Sequence, residues 1–104
     1  MRFLVVTKSK MPFPPEMAQG IIDAMEGWAR KYTASGQLEQ VWSFAGLQGG
    51  GGIGNVNSLE ELDAIMTEFP IAPFSDIEIY GLVDFEASVG TWREAAKAMA
   101  PPSK

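Results

Sequence analysis

Two prolines, Pro70 and Pro73, place the strongest constraint on the fold of this 104-residue sequence. Each proline lacks a backbone donor and restricts the residue before it, so a helix cannot continue through either position. The helical pattern that precedes them must therefore end near Phe69. From Ser75 onward polar and apolar residues alternate, which is typical of a strand. The stretch 68–83 predicts a sharp corner between a helix and a strand.

The strand after this corner has two chemically different faces. Its polar side chains point to one face: Asp76, Glu78 and Tyr80. Paired carboxylates can favour general acid or base chemistry, and Glu78 and Asp76 are the candidate catalytic residues. A solvated strand face, or an ion pair with Arg93 or a helix lysine, would explain the same residues without chemistry. Both interpretations stay open at this point.

The remaining elements follow from periodicity and from start and stop signals. The predicted strands are 2–8, 38–47 and 53–56, and the predicted helices are 16–35, 58–69 and 87–99. Ser58 and Glu61 form a capping box at the start of the second helix, and Gly36 is a plausible end for the first. The third helix can pack on its own subunit or reach across to a neighbour.

Alternation in the second strand predicts one shared face for four side chains: Leu38, Gln40, Trp42 and Phe44. The four glycines that follow, 49–52, lack the Gly-Lys-Ser/Thr ending of a phosphate-binding loop and do not precede a helix. They are interpreted as a flexible hairpin turn or bulge, with a mobile flap over a pocket as the alternative.

The order β-α-β-β-α-β with a trailing helix is the split arrangement of ferredoxin-like α+β folds with an antiparallel sheet. Helices cover only one face of such a sheet, so the other face needs a partner. Packing of two sheets against each other would supply it, which predicts a homodimer or a larger homo-oligomer. The length fits a single domain, 1–100, with a short tail, 101–104.

The sequence contains no cysteine and no histidine. Disulfides and thiolate chemistry are therefore excluded, and so are the usual general base near neutral pH and the commonest metal ligand. Proton transfer must use carboxylates, lysine, tyrosine or water. The composition thus predicts no metal site.

The charge and hydropathy of the chain argue against nucleic acid and membranes as partners. Eight basic and 13 acidic side chains give a net charge of −5, and no basic cluster suits nucleic acid. No apolar run approaches the length of a membrane span, and the start of the chain is too short for a signal peptide. The sequence predicts a cytoplasmic protein without a membrane partner.

Aromatic and thioether side chains are abundant enough to line a cavity for a flat apolar or aromatic ligand. Trp42 and Tyr80 are preferred because each shares a strand face with a polar neighbour, Gln40 or Glu78. The other candidate substrate-binding residues are Ser43, Trp28 and Met25. Ordinary core packing is the competing explanation for the aromatic residues.

The run Phe-Pro-Ile-Ala-Pro-Phe-Ser-Asp-Ile-Glu-Ile-Tyr-Gly-Leu, 69–82, resembles the signature near the end of muconolactone isomerases. Their Met-x-Phe-x-Val first strand is matched by Met1, Phe3 and Val5, but Val6 stands where the family has lysine. In the family's second-strand pattern, aromatic and small positions are kept (Trp42, Ala45, Gly46) and polar positions are replaced (Leu38, Glu39, Gln40, Ser43). The resemblance implies a dimeric α+β barrel. The replaced polar positions favour a substrate that is larger and more neutral than a lactone diacid.

The resemblance implies a cofactor-independent isomerase or cyclase that acts on an apolar carbonyl or lactone compound, for example a polyketide-like intermediate of secondary metabolism. Glu78 or Asp76 would serve as base, with Gln40, Ser43 or Tyr80 orienting the carbonyl. One alternative is a cofactor-free monooxygenase of the same fold. The other is a non-catalytic dimeric subunit that binds a ligand or stabilises another enzyme.

Overall fold

The computed structural model describes residues 1–46 and 48–101, and the chain folds in the predicted order of strands and helices. The elements are β1 (Arg2–Ser9), α1 (Ala18–Ala34), β2 (Leu38–Ser43), β3 (Gly49–Asn55), α2 (Leu59–Thr67), a 3-10 turn (Ala72–Phe74), β4 (Ser75–Leu82) and α3 (Phe85–Met99). The strands form one antiparallel sheet in the order β2-β3-β1-β4. The predicted α+β fold class is confirmed.

The proline corner has the predicted form. Helix α2 ends at Thr67, and the 3-10 turn that contains Pro73 leads directly into β4. At the other end of α2, the backbone amide of Glu61 donates to the Ser58 hydroxyl at 3.1 Å. The Glu61 carboxylate reaches back and accepts from the amide of Asn57 at 2.7 Å. Both ends of α2 are therefore fixed by local sequence signals.

Helices α1 and α2 cover one face of the sheet, here called the helix side, and the core lies between them. Five buried residues form this core: Phe3, Tyr32, Leu38, Val56 and Ile65. The Trp28 indole joins the two helices, because its Nε1 donates to the carbonyl of Ile65 at 3.1 Å and its ring lies 4.8 Å from that of Phe69. The opposite face of the sheet is here called the open face, and no helix of the described residues covers it.

The predicted shared face of β2 is wrong, because the register shifts between Leu38 and Gln40. Leu38 pairs with Gly54 and faces the core, whereas Gln40 and Trp42 alternate onto the open face. A bulge adds one residue to a strand and reverses the faces beyond it. The extra residue is Glu39, whose carboxylate accepts hydrogen bonds from the side chains of Arg2 and Asn55 at the sheet surface. Strand β2 ends at Ser43, and Leu47, the predicted end, lies outside the described residues.

The interpretation of the four glycines as a turn or bulge is also wrong, because they form the first half of β3. The turn lies earlier, at Gly46, whose φ of 73° favours glycine. The glycines belong in the strand because the neighbouring strands approach too closely for side chains. A Cβ at Gly50 would lie 2.3 Å from the carbonyl oxygen of Trp42, and one at Gly49 would lie 2.3 Å from that of Thr7.

Helix α3 stands away from the rest of the chain. It begins at Phe85, two residues before the predicted start, because the Asp84 carboxylate accepts from the amide of Ala87 at 3.2 Å and caps it. None of its residues is buried, and the described chain measures 73 × 28 × 23 Å. Its radius of gyration of 18.7 Å compares with about 13 Å for a compact domain of about 100 residues. Of the two arrangements that the sequence left open, packing of α3 on its own subunit is not seen.

No helix in the described ranges has the length and apolarity needed to cross a bilayer.

Acid is expected to destabilise the fold, and Glu68 is expected to account for part of the loss. The hydroxyl of Tyr32 and the ammonium of Lys31 donate to the Glu68 carboxylate and hold its pKa below the usual range. A pKa that is lower in the folded state adds stability at neutral pH, and this stability disappears as the pH falls through the folded value. Urea midpoints measured from pH 7 to pH 3 should therefore fall at the acid end, less steeply for Glu68→Gln. The exposed Glu16→Gln is the control and should follow the wild-type curve.

Candidate functional site

A cavity of about 380 Å³ lies between the helix side of the sheet and helices α1 and α2. The helices and the corner after α2 contribute apolar side chains to it: Met25, Trp28, Leu62, Ile65, Met66, Phe69 and Ile71. This size falls within the range of small-molecule sites, and aromatic and thioether groups adapt well to apolar ligands. The cavity is the candidate functional site.

The floor of the cavity is formed by β3, where three alternate residues lack side chains: Gly50, Gly52 and Gly54. These positions, here called the glycine slot, lie on the helix side, since Gly54 pairs with the buried Phe3. Side chains of β1 and β2 rise on either side of the slot. The floor therefore consists of bare peptide groups between two walls.

The walls of the slot are polar at one end. Gly50 pairs with Thr7 on β1 and with Ser43 on β2, which puts one hydroxyl on each side of it. Thr7 is buried, and its hydroxyl donates to the carbonyl of Gly50 at 3.3 Å. A hydroxyl has two acceptor lone pairs, so Thr7 can still accept a hydrogen bond, and Ser43 can donate or accept.

The walls are apolar along the rest of the slot. Gly52 pairs with Val5 and Val41, and Gly54 pairs with Phe3 and Leu38. Val41 is 47% exposed, so the slot is accessible from the edge of the sheet at β2. A ligand would meet hydroxyl groups at one end and hydrocarbon at the other.

One more polar side chain lines the cavity, the amide of Gln37. Its Nε2 donates to the Glu61 carboxylate, and its Oε1 accepts from the Ser35 hydroxyl at 2.9 Å. The amide of Asn57, and then Gln37, hold the pKa of Glu61 below its usual range. Glu61 belongs to the cap at the start of α2, so the hydrogen bond to it holds the Gln37 side chain in place.

No aspartate, glutamate, lysine or arginine is among the described residues that line the cavity. Within residues 1–46 and 48–101, no group of three carboxylates could hold a metal ion. The described cavity lining can bind and orient a ligand, but it supplies no ionised acid or base.

The structure divides the predicted site residues into two groups. Four border the cavity: Met25, Trp28 and Ser43 from the helix side, and Trp42 at the edge strand β2, although its side chain alternates onto the open face. The other four lie on the open face and do not line it: Gln40, Asp76, Glu78 and Tyr80. Sequence reasoning missed Thr7 and the glycine slot. The available signal for Thr7 was its place in the alternation of β1: it is a polar residue at the core-facing position that follows Phe3 and Val5.

The residues of β4 form a small hydrogen-bonded pair on the open face. The hydroxyl of Tyr80 donates to the Glu78 carboxylate, and this hydrogen bond raises the pKa of Tyr80. None of the ion pairs between described residues includes Asp76, Glu78 or Arg93. Both carboxylates are exposed in the single chain, so the open face becomes an enclosed site only if another surface covers it.

Comparison with known proteins gives one family and one fold. A family model described as muconolactone delta-isomerase matches residues 1–88. No curated protein sequence gives a significant match. A crystal structure of muconolactone isomerase at 3.3 Å resolution is similar with a TM-score of 0.76 and 26% sequence identity, over 86% of this chain and 95% of that one.

A second solved structure shares the fold alone. It is 5-chloro-2-hydroxyhydroquinone dehydrochlorinase from Burkholderia phenoliruptrix AC1100, in complex with 2,5-dihydroxybenzoquinone. The similarity has a TM-score of 0.61 at 17% identity, over 84% of this chain and 98% of that one.

Proposed function

Because the chain belongs to the muconolactone delta-isomerase family, we propose that it is a cofactor-independent isomerase or cyclase that moves a proton within an apolar carbonyl or lactone compound. The observation that carries this proposal is the cavity, which combines an apolar body with two hydroxyl groups at one end. A polyketide-like intermediate of secondary metabolism has the required chemistry. The proposed place of action is the cytoplasm.

The proposed reaction transfers one proton between two carbons of the bound compound. A carbon next to the carbonyl loses its proton, the electron pair moves to the carbonyl oxygen, and the proton returns at the far end of the conjugated system. The hydroxyl of Ser43 would donate to this oxygen while it carries negative charge, and apolar walls would strengthen that hydrogen bond. Trp28 and Met25 would hold the apolar body of the substrate against the floor.

The proton acceptor can have two locations. Asp76 and Glu78 remain the proposed catalytic carboxylates, and they require the reacting atoms to lie on the open face beside Tyr80 and Gln40. Reaction inside the cavity requires instead a hydroxyl group or a bound water as the proton carrier. The two locations predict that different substitutions will lower turnover.

Replacing Ser43 by alanine is expected to lower kcat/KM roughly 100-fold, the usual effect of removing one donor to a developing oxyanion. The assay is the ultraviolet absorbance change as an aryl-substituted β,γ-unsaturated γ-lactone becomes conjugated. Ser75→Ala is the matched control, since Ser75 is a buried serine on β4 that does not line the cavity. Equal rates for the two variants would contradict reaction in the cavity.

Glu78→Gln and Asp76→Asn complete the test. Loss of turnover in either variant, with Ser43→Ala unaffected, would place the reacting atoms on the open face. Unchanged turnover in both would show that the proposed roles of these carboxylates are wrong.

A monooxygenase is the second candidate, and the lack of ionised groups in the described cavity lining favours it. In that reaction a ring CH₂ of an activated aromatic compound becomes a carbonyl. One atom of O₂ becomes the carbonyl oxygen, and the other leaves as water with the two hydrogens of the CH₂ group. The CH₂ group beside the aromatic rings of such a substrate is itself acidic, so the protein need only orient the substrate in a dry cavity. Oxygen consumption with anthrone as the substrate would separate this reaction from isomerisation.

The protein is proposed to work as a homodimer or a larger homo-oligomer. Leu82 is exposed on the open face, and Phe85 and Trp92 of α3 are 66% and 58% exposed. Such surfaces are typical of an interface between subunits, because apolar side chains gain free energy when they leave water.

A further inference from the structure

We propose that the glycine slot selects a flat, fused-ring compound that carries oxygen atoms on opposite edges of its terminal ring, as a 1,4-naphthoquinone or its hydroquinone does. This inference rests on the proposed function in one respect, the location of the substrate in the cavity. It adds a substrate class and an orientation, and it depends on the register of three strands.

The flatness follows from the floor. Gly50 and Gly52 present only peptide groups to the cavity, and no side chain can be added there, since a Cβ at Gly52 would lie 2.7 Å from the carbonyl oxygen of Gln40. A planar ring can lie directly on such a surface, with Trp28 and Phe69 among the side chains above it. A puckered ring of the same composition is thicker and would touch the floor at fewer atoms.

The positions of the oxygens follow from the polar end of the slot. Thr7 and Ser43 lie on the two strands that flank Gly50, so their backbones are two strand spacings apart, about 9.5 Å. Oxygens on opposite edges of a six-membered ring are roughly 5 Å apart, and a hydrogen bond of about 2.7 Å at each end gives roughly 10 to 11 Å in total. The two lengths differ by about 1 Å, so a ring centred over Gly50 can reach both hydroxyl groups. Ser43 donates to one quinone oxygen, and the Thr7 hydroxyl rotates away from the Gly50 carbonyl, 3.3 Å away, to donate to the other. The hydroxyl of a hydroquinone would instead donate to Thr7 and leave that hydrogen bond in place.

The direction of the fused rings follows from the next pairs along the strands. When the two oxygens point at β1 and β2, a second ring fused to the first extends along β3, toward Gly52. There Val5 and Val41 flank the slot, and they suit a hydrocarbon ring without oxygen atoms. The polar and apolar ends of the slot thus match the two ends of a naphthoquinone.

Isothermal titration calorimetry of the full chain with three ligands of equal carbon skeleton tests the inference. The ligands are 1,4-naphthoquinone, naphthalene, which lacks the oxygens, and decahydronaphthalene-1,4-dione, which has them on puckered rings. We expect 1,4-naphthoquinone to bind at least tenfold more tightly than either of the others. The chain has no cysteine that a quinone could modify.

Two variants locate the binding. Ser43→Ala and Thr7→Val should each weaken 1,4-naphthoquinone at least fivefold and leave naphthalene unchanged, while Ser75→Ala should change neither. Equal affinities for the three ligands, or a quinone affinity that neither wall variant changes, would overturn the inference. Lactone turnover without quinone selectivity would retain the proposed function and reject the inference. Quinone selectivity without turnover of any lactone would retain the inference and reject the proposed function.

Discussion

Alanine in place of Gly50 is expected to lower the free energy of unfolding by about 3 kcal/mol, at the upper end of the usual cost of overpacking. The added Cβ would lie 2.3 Å from the carbonyl oxygen of Trp42, and that oxygen belongs to the backbone of the adjacent strand β2. A flexible side chain could move aside, but a backbone carbonyl in a β ladder cannot move without loss of hydrogen bonds. Urea unfolding followed by circular dichroism measures the change.

Two other glycines provide matched controls. A Cβ at Gly54, in the same strand, would meet its nearest atom at 3.5 Å, an ordinary contact, so Gly54→Ala should change stability by less than about 1 kcal/mol. Gly20 lies inside α1 with nothing within 4 Å, and Gly20→Ala should stabilise by roughly 0.5 to 1 kcal/mol. If Gly50→Ala and Gly54→Ala unfold at the same urea concentration, close approach is not the reason for the glycine run.

The double variant Phe85→Ala/Trp92→Ala is expected to convert the proposed oligomer into monomers without unfolding the body of the chain. The two rings contact each other on α3, 5.9 Å apart, and both are largely exposed. Burial of a large apolar side chain against a second copy contributes about 1.5 to 3 kcal/mol, so four such rings per dimer would contribute several kcal/mol to association. Sedimentation velocity and native mass spectrometry measure the mass.

The control for this variant lies on the same helix. Glu94 is exposed and forms an ion pair with Lys97 at 3.3 Å within α3, so Glu94→Ala should leave the mass unchanged. A wild-type protein that is monomeric at all concentrations would contradict the proposed assembly. An oligomer that survives the double substitution would show that the open face alone holds the subunits together.

The sequence predicted those parts of the fold that local signals determine. Pro70 and Pro73 set the corner, Ser58 and Glu61 set the start of α2, and Gly36, with a φ of 82°, ends α1. Each of these signals acts within a few residues, so it can be recognised without knowledge of the tertiary contacts.

The errors concern features that depend on pairing between distant strands. The bulge at Glu39 is held by Arg2 and Asn55, and the place of the glycine run in β3 depends on how closely β1 and β2 approach. Alternation alone then assigned Gln40 and Trp42 to the same face as Leu38. Gln40 and Trp42 consequently lie on the open face, which they share with Asp76, Glu78 and Tyr80 of β4.

The glycines of β3 also have a consequence for the order in which the chain folds. A strand that begins with four glycines loses more backbone entropy on ordering than other strands, and it brings few apolar side chains to offset that loss. Strand β3 is therefore not expected to nucleate structure by itself. It becomes ordered when it pairs with β1, whose other edge is held by β4, and among the described strands it then provides the only edge on which β2 can pair. The floor of the cavity therefore forms after the β1 wall and before the β2 wall.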